Sequence, residues 1–252
     1  MHCISNIVTA NDCANVLLAP GASPIMAQAV EEMEDISRAS DAEVLNTGTP
    51  DAGKFDACLI CARASAQAGR PVVLDPVGVG ASPWRLGRVR ELLSRAAPSI
   101  VRVNLAEARA LLSLAGQEQG VDSPAAAAPD ERARTARELA AALGCAVLLS
   151  GPVDIAAAPD GSAWAMDGGS GLMACVTGTG CMLSALCGAF ACVERDMAEA
   201  AALASAFWKL CALLAGERAG ERGPGSFRAA LMDAAWALDA ETFAARARIE
   251  RA

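Results

Sequence analysis

Pro71-Val72-Val73-Leu74-Asp75-Pro76-Val77-Gly78-Val79-Gly80-Ala81 sets an unbroken apolar run ahead of a carboxylate and a glycine turn. A strand that is apolar on both faces belongs to a sheet covered on both faces, which is the setting of parallel strands between helical layers. Outward from this run the same pattern repeats. Short strand candidates at Glu43–Asn46, Pro71–Asp75, Ile100–Val103, Cys145–Ser150, Asp154–Ala157 and Ala163–Met166 alternate with longer alanine-rich stretches of helical pattern. Ser23, followed by Pro24, is placed to cap a helix running to about Ala39, and Asp130 to cap one that stops at Gly144. Met197–Leu214, Ser226–Leu238 and Asp239–Ile249 read as helices near the C-terminus. The alternation implies an α/β fold with a mostly parallel central sheet and helices on both faces, in a single domain over residues 1–252. The alanine- and proline-rich segment Val121–Pro129 reads as a surface connection within that domain. Ligands of such sheets bind at the carboxyl ends of strands, so the chemistry belongs to the loops that follow them.

The 252 residues carry 21 Lys+Arg against 29 Asp+Glu, a net charge of −8, and 54% are hydrophobic. A chain this apolar has enough core to fold, and its acidic balance argues against a general nucleic-acid partner, which needs a basic face. The opening residues have neither a basic region nor an apolar core of a secretory signal. The ten cysteines are therefore expected to be reduced thiols of a cytoplasmic protein. The nearly uncharged stretch from Gly168 to Val193 raises a membrane span, but its many glycines interrupt the run, and a buried loop and helix are the better expectation.

Three motifs are set aside. Gly48-Thr49-Pro50-Asp51-Ala52-Gly53-Lys54-Phe55 has the glycine and lysine spacing of a phosphate loop. However, Phe55 stands where a hydroxyl must ligate magnesium, and Pro50 lacks an amide, so it reads as a strand-to-helix turn. Cys58 and Cys61 form a C-x-x-C with no second pair for structural zinc, inside an apolar helical pattern, and are expected in the core. The single histidine, His2, offers a catalytic triad only if the extreme N-terminus is ordered.

Val176-Thr177-Gly178-Thr179-Gly180-Cys181-Met182-Leu183-Ser184 is more specific. Glycines framing a threonine at the entry to an apolar helix present main-chain N–H groups at its positive end, an anion hole for charge developing on a transferred phosphoryl group. Cys181 at such a terminus is expected to have a lowered pKa. A tight helix entry with Cys181 as a small core side chain fits the spacing equally well. Asp75 and Glu107, at two strand ends, are candidate holders of a hydrated magnesium ion, and Arg102 a candidate partner for phosphate oxygens.

His2-Cys3-Ile4-Ser5-Asn6, Asn11-Asp12-Cys13-Ala14-Asn15, Gly21-Ala22-Ser23-Pro24-Ile25-Met26, Leu74-Asp75-Pro76-Val77-Gly78, Gly178-Thr179-Gly180-Cys181 and Gly223-Pro224-Gly225-Ser226-Phe227 together resemble hydroxyethylthiazole kinases of the ribokinase-like superfamily. The resemblance implies transfer of the γ-phosphoryl of ATP, with Mg2+, to 4-methyl-5-(2-hydroxyethyl)thiazole in thiamine salvage. It also implies a homotrimer with active sites between subunits. By the same resemblance, Asn6, Met26 and Gly178 contact the substrate, Arg102 and Ser150 contact ATP, and Asp75 and Glu107 are the magnesium-associated acids. Cys181, with Gly178 and Gly180, occupies the catalytic position, where many ribokinase-like kinases have an aspartate. The sequence departs from the family pattern in beginning almost at His2, without the helix that usually precedes it. Val103 replaces a usual glycine, and Ser150-Gly151-Pro152 a usual Thr-Gly-Glu. Rival readings are a related kinase for pyridoxal or hydroxymethylpyrimidine, a non-catalytic binder, and a redox or zinc protein using Cys58 and Cys61.

Overall fold

The computed structural model of the chain describes residues 1–114 and 129–252. The strands are β1 (His2–Ile4), β2 (Glu43–Asn46), β3 (Val72–Asp75), β4 (Ile100–Asn104), β5 (Ala146–Ser150), β6 (Asp154–Ala157), β7 (Ala163–Met166) and β8 (Ile249–Arg251). They lie side by side in chain order, parallel from β1 to β5 and antiparallel from β5 to β8. The helices are α1 (Ala10–Leu18), α2 (Met33–Ala39), α3 (Ala52–Gln67), α4 (Pro83–Ala96), α5 (Leu105–Leu114), α6 (Pro129–Leu143), α7 (Thr179–Ala191), α8 (Met197–Ala219), α9 (Pro224–Ala237) and α10 (Ala240–Arg246).

Side chains alternate across a strand, so each strand feeds two cores. Cys3, Val44, Val73, Ile100 and Leu148 meet α1, α7, α8 and α9 on one face. Ile4, Leu45, Leu74, Val101 and Val147 meet residues of α2 to α6 on the other. Phe55, Cys58 and Cys61 of α3 are wholly buried in this second core, and Asp51 caps α3 by accepting the Lys54 amide at 2.8 Å. That segment is therefore a strand-to-helix turn, and the two cysteines are core residues, as expected. All ten cysteines are free thiols.

Three sequence expectations change, and one strand was not expected. The Ser23–Ala39 helix does not form as a unit: Ile25 pairs alongside His2, exchanging main-chain bonds with Met1 and Cys3, and helix begins only at Val30 as a 3-10 turn before α2. Pairing with β1 there outcompetes the local Ser-Pro helix signal. α6 begins at Pro129, so Asp130 lies in its first turn instead of capping it, while Gly144 ends it at φ +67° as expected. The Asp239–Ile249 helix stops at Arg246, and Ile249–Arg251 becomes β8 against β7, with the Arg251 guanidinium 4.8 Å over the Trp164 ring. Finally, β1 itself carried no strand signal, being only three residues long. The proposed surface connection lies outside the described residues except for Pro129.

The stretch from Gly168 to Val193 folds as a loop, a 3-10 turn and α7. α8 is long and apolar enough to cross a membrane, but 72% of its apolar window is buried, the mark of a core helix. His2 is ordered yet sits at the amino end of β1, away from the carboxyl-end loops. Burial would lower its pKa, but hydrogen bonds from its ring to Cys61 and Glu43 and the Glu43 charge outweigh burial and hold it up at about 10. It is an imidazolium that donates to Glu43 Oε2 at 2.7 Å and to the Ala27 carbonyl at 2.9 Å. It anchors the segment that carries Met26 and forms no triad.

Candidate active site

The carboxyl ends of β1 to β5 and the N-terminus of α7 converge. The first main-chain hydrogen bond of α7 runs from the Met182 N–H to the Gly178 carbonyl at 2.8 Å, so the amides of residues 179–181 precede the helical ladder and keep their donors. Gly178 enters the helix at φ +87°, and a Cβ there would lie 2.4 Å from the Thr9 methyl. A Cβ on Gly180 would lie 2.6 Å from Arg102 Nη2. Gly178 is demanded by backbone and neighbour together, while a side chain at Gly180 would push aside the guanidinium laid across the helix entry.

Arg102, on β4, donates from Nη2 to Ser150 Oγ at 2.6 Å and places Nη1 3.6 Å from Asp75 Oδ1. Arg102, Ser150, Thr179 and Gly180 share the wall of a cleft of about 550 Å³ with the Gly151–Pro152 turn, the Gly168–Gly171 run and Lys209. That volume falls within the ~300–1,000 Å³ of small-molecule sites. Asp75 is wholly buried. Its Oδ2 accepts from Asn46 at 2.9 Å and from the Ser184 hydroxyl at 2.7 Å, while Oδ1 has no hydrogen-bond partner. Burial pushes the Asp75 pKa up to about 6 against the pull of Arg102. Glu107 spans two loops, accepting the Gly78 amide on Oε1 and the Asn104 amide on Oε2, each at 2.8 Å.

Burial and the Asp75 charge raise the Cys181 pKa, outweighing the hydrogen bonds to Thr9 and Asn46 and the charge of Arg102. The sequence expectation of a lowered pKa is thus corrected: the low-dielectric surroundings and a neighbouring carboxylate overcome the helix terminus, and Cys181 is a protonated thiol at neutral pH. On the far side of Gly178 the residue 6–9 turn packs against the helix entry. Asn6 Oδ1 accepts from the Val8 amide and the Thr49 hydroxyl, both at 3.2 Å. Met26 lines a smaller hollow of about 160 Å³ with Ser5, Ile7, Thr49 and Lys54. The buried Lys54 ammonium closes its floor, donating to the Ser5 and Gly48 carbonyls at 2.7 Å each.

The structure therefore gathers every sequence-derived site residue at one end of the sheet, but in layers. Arg102, Ser150 and Gly180 face the larger cleft and Met26 the smaller hollow, with Asn6 and Gly178 between them. Asp75, Glu107 and Cys181 lie beneath and line neither cavity. Asn46, Ser184, Thr9 and Lys209 were not singled out in the sequence. Only Lys209 carries a local signal, a charge inside the apolar run Ala206-Phe207-Trp208-Lys209-Leu210-Cys211. Asp75 Oδ1, paired with the Arg102 charge but without a hydrogen bond, and the second lone pairs of Glu107 keep acceptor capacity, which is the donor chemistry a hydrated magnesium ion takes.

The hydroxyethylthiazole kinase family model matches residues 1–241. Hydroxyethylthiazole kinase from Methanoculleus marisnigri is 42% identical over 253 aligned positions, covering 99% of this chain and 88% of the relative. The solved structure of hydroxyethylthiazole kinase from Pyrococcus horikoshii OT3 superposes with a TM-score of 0.88 at 34% identity, covering 100% of this chain and 92% of that one. A ribokinase-like superfamily protein from Enterococcus faecalis shares the fold alone, with a TM-score of 0.57 at 15% identity, covering 93% of this chain and 85% of that one.

Proposed function

Because the chain belongs to the hydroxyethylthiazole kinase family, we propose that it transfers the γ-phosphoryl group of ATP to the hydroxyl of 4-methyl-5-(2-hydroxyethyl)thiazole, in the cytoplasm, as a step of thiamine salvage. The observation that carries this reading is the set of unladdered amides at residues 179–181, next to the Arg102 guanidinium, with Thr179 and Gly180 on the wall of the larger cleft. Transfer of a phosphoryl group passes through a loose transition state, so positioning and charge stabilisation dominate over deprotonation. The amides meet negative charge on the phosphoryl oxygens, and Arg102 with Ser150 holds the nucleotide from the β4–β5 side. Asp75 and Glu107 would hold magnesium through its waters, and the ion would neutralise polyphosphate charge.

Cys181, protonated in its buried place beneath the helix entry, orients the alcohol; no standing thiolate base is needed, because the alcohol's proton leaves late and passes to an oxygen of the transferred phosphoryl group. Met26 lies against the thiazole ring, as a polarizable thioether suits an aromatic face, and the Asn6 amide borders it. Ile7, Val8, Ile25 and Met26 are exposed around this side at 78%, 63%, 42% and 36%. Such apolar surface beside a half-open hollow supports the homotrimer, with partner subunits completing the thiazole side.

The test incubates purified protein with ATP, magnesium and the thiazole alcohol, with phosphorylated thiazole read by mass spectrometry. Pyridoxal and hydroxymethylpyrimidine run in parallel. Transfer to the thiazole alcohol at the highest kcat/KM supports the reading. Preference for either other alcohol reassigns the substrate, and binding without transfer makes the protein a thiazole sink.

A further inference from the structure

Lys209 is an ammonium buried in the body of α8 and only 5% exposed, at the wall of the larger cleft. Its Nζ donates to the Gly151 carbonyl at 2.8 Å and the Pro152 carbonyl at 2.6 Å, and lies 3.3 Å from Asp154 Oδ1. The two carbonyls take two of its three donors, and the Asp154 carboxylate pairs with its charge. Asp154 is fixed in turn, accepting the Gly151 amide at 2.7 Å and the Ser205 hydroxyl, one helical turn before Lys209, at 2.8 Å. The aliphatic stem works on the opposite wall. A Cβ added at Gly169 would sit 3.4 Å from Lys209 Cδ, and one at Gly168 would sit 3.7 Å from its Cβ. One side chain thus joins the Ser150–Pro152 turn to the glycine run that faces it across the cleft.

We propose that Lys209 is a positioning residue for the nucleotide: it fixes the Ser150–Pro152 turn and cancels the negative charge of that wall. The inference rests on the ATP-dependent reading of the cleft. Pro152 has no N–H to tie its turn into the sheet, so its carbonyl is the only main-chain polar group available there, and Lys209 takes it. Two carbonyl oxygens and the Asp154 carboxylate would otherwise present negative charge to a triphosphate inside a poorly screened cleft. With two donors on the turn carbonyls and its charge paired with Asp154, Lys209 makes the wall tolerable to phosphate and holds Ser150 toward Arg102.

The test compares wild type with Lys209→Met, which keeps the stem and loses the charge, and with the double variant Asp154→Asn/Lys209→Met, which leaves no stranded carboxylate. Folding is checked by circular dichroism, KM is measured for ATP and for the thiazole alcohol, and the ATP dissociation constant is measured by calorimetry with magnesium present. The expected result is a rise of about tenfold or more in the ATP KM and dissociation constant of Lys209→Met, with the alcohol KM within about twofold. The double variant should keep at least half of that loss on a logarithmic scale, because the turn carbonyls still lack their donor. ATP binding within twofold of wild type in a folded variant overturns the proposal, as does an equal rise in both KM values. Loss of folding in both variants also overturns it, by making Lys209 a core residue only. If wild type binds ATP but transfers nothing to the alcohol, the kinase reading fails while calorimetry still decides the role of Lys209.

Discussion

Asp75→Asn separates the role of this acid in catalysis from its cost to the fold. The folded carboxyl titrates at about 6 against an ordinary 3.8, with burial as the main cause. At ~1.4 kcal/mol per pH unit, ionising Asp75 in the folded protein is roughly 3 kcal/mol harder than in the unfolded chain. A folded pKa above the unfolded one means that protonation favours folding. The stabilising contribution is complete below pH 3.8 and is lost as the pH rises through about 6. Asparagine cannot ionise, so the variant escapes that loss. Its missing attraction to Arg102, 3.6 Å away, and its altered bonds to Asn46 and Ser184 add an offset that does not vary with the titration of position 75.

Urea unfolding of both proteins from pH 5 to 8 isolates the titrating part. The stability of Asp75→Asn relative to wild type should be most favourable at pH 8 and should fall by ~1.5 kcal/mol by pH 5, about half of the full span. Over the same range the variant should lose at least about 100-fold in kcat if Asp75 helps to hold magnesium. A flat stability difference, or one that grows toward acid, would refute the desolvated carboxylate. Retained activity with an unchanged magnesium response would remove Asp75 from the metal.

Gly178→Ala must place a side chain at φ +87° and against the Thr9 methyl, so it should cost about 1–3 kcal/mol, visible as a lowered Tm, and depress kcat by displacing the amides of residues 179–181. Cys181→Ala removes only an orienting hydrogen bond, worth about 1–1.5 kcal/mol, and should lower kcat by about tenfold while thiazole binding survives; unchanged kcat would take the thiol out of the mechanism. Because burial and Asp75 hold that thiol protonated, the variant's kcat–pH profile should keep the wild-type shape between pH 6 and about 8, and a profile that loses an ascending limb would restore a thiolate. Glu43→Gln strands the buried His2 imidazolium and should cost about 3 kcal/mol in urea unfolding, with the KM for the thiazole alcohol rising because the Ala27 anchor beside Met26 loosens.

The parallel sheet was legible because its strands are short apolar runs with hydrophobic residues on both faces, a signal carried by neighbours in the chain. The helix entry at Gly178-Thr179-Gly180-Cys181 was legible for the same local reason, and so were the strand-end acids and Arg102. What the sequence by itself determined is therefore the layered α/β architecture and the set of loops where chemistry can occur. Tertiary structure alone decided the rest. It turned Ile25 from helix to a partner of His2, made Ile249–Arg251 an edge strand, buried Asp75 beneath the cleft and tied both oxygens of Glu107 to main-chain amides. It also reversed the expected shift of Cys181 and set Lys209 across two walls from a helix more than fifty residues beyond the turn it holds. The physical reason is common to all of these. A strand or helix pattern depends on side-chain periodicity within one segment, whereas pairing, desolvation and charge depend on which distant segments arrive next to it.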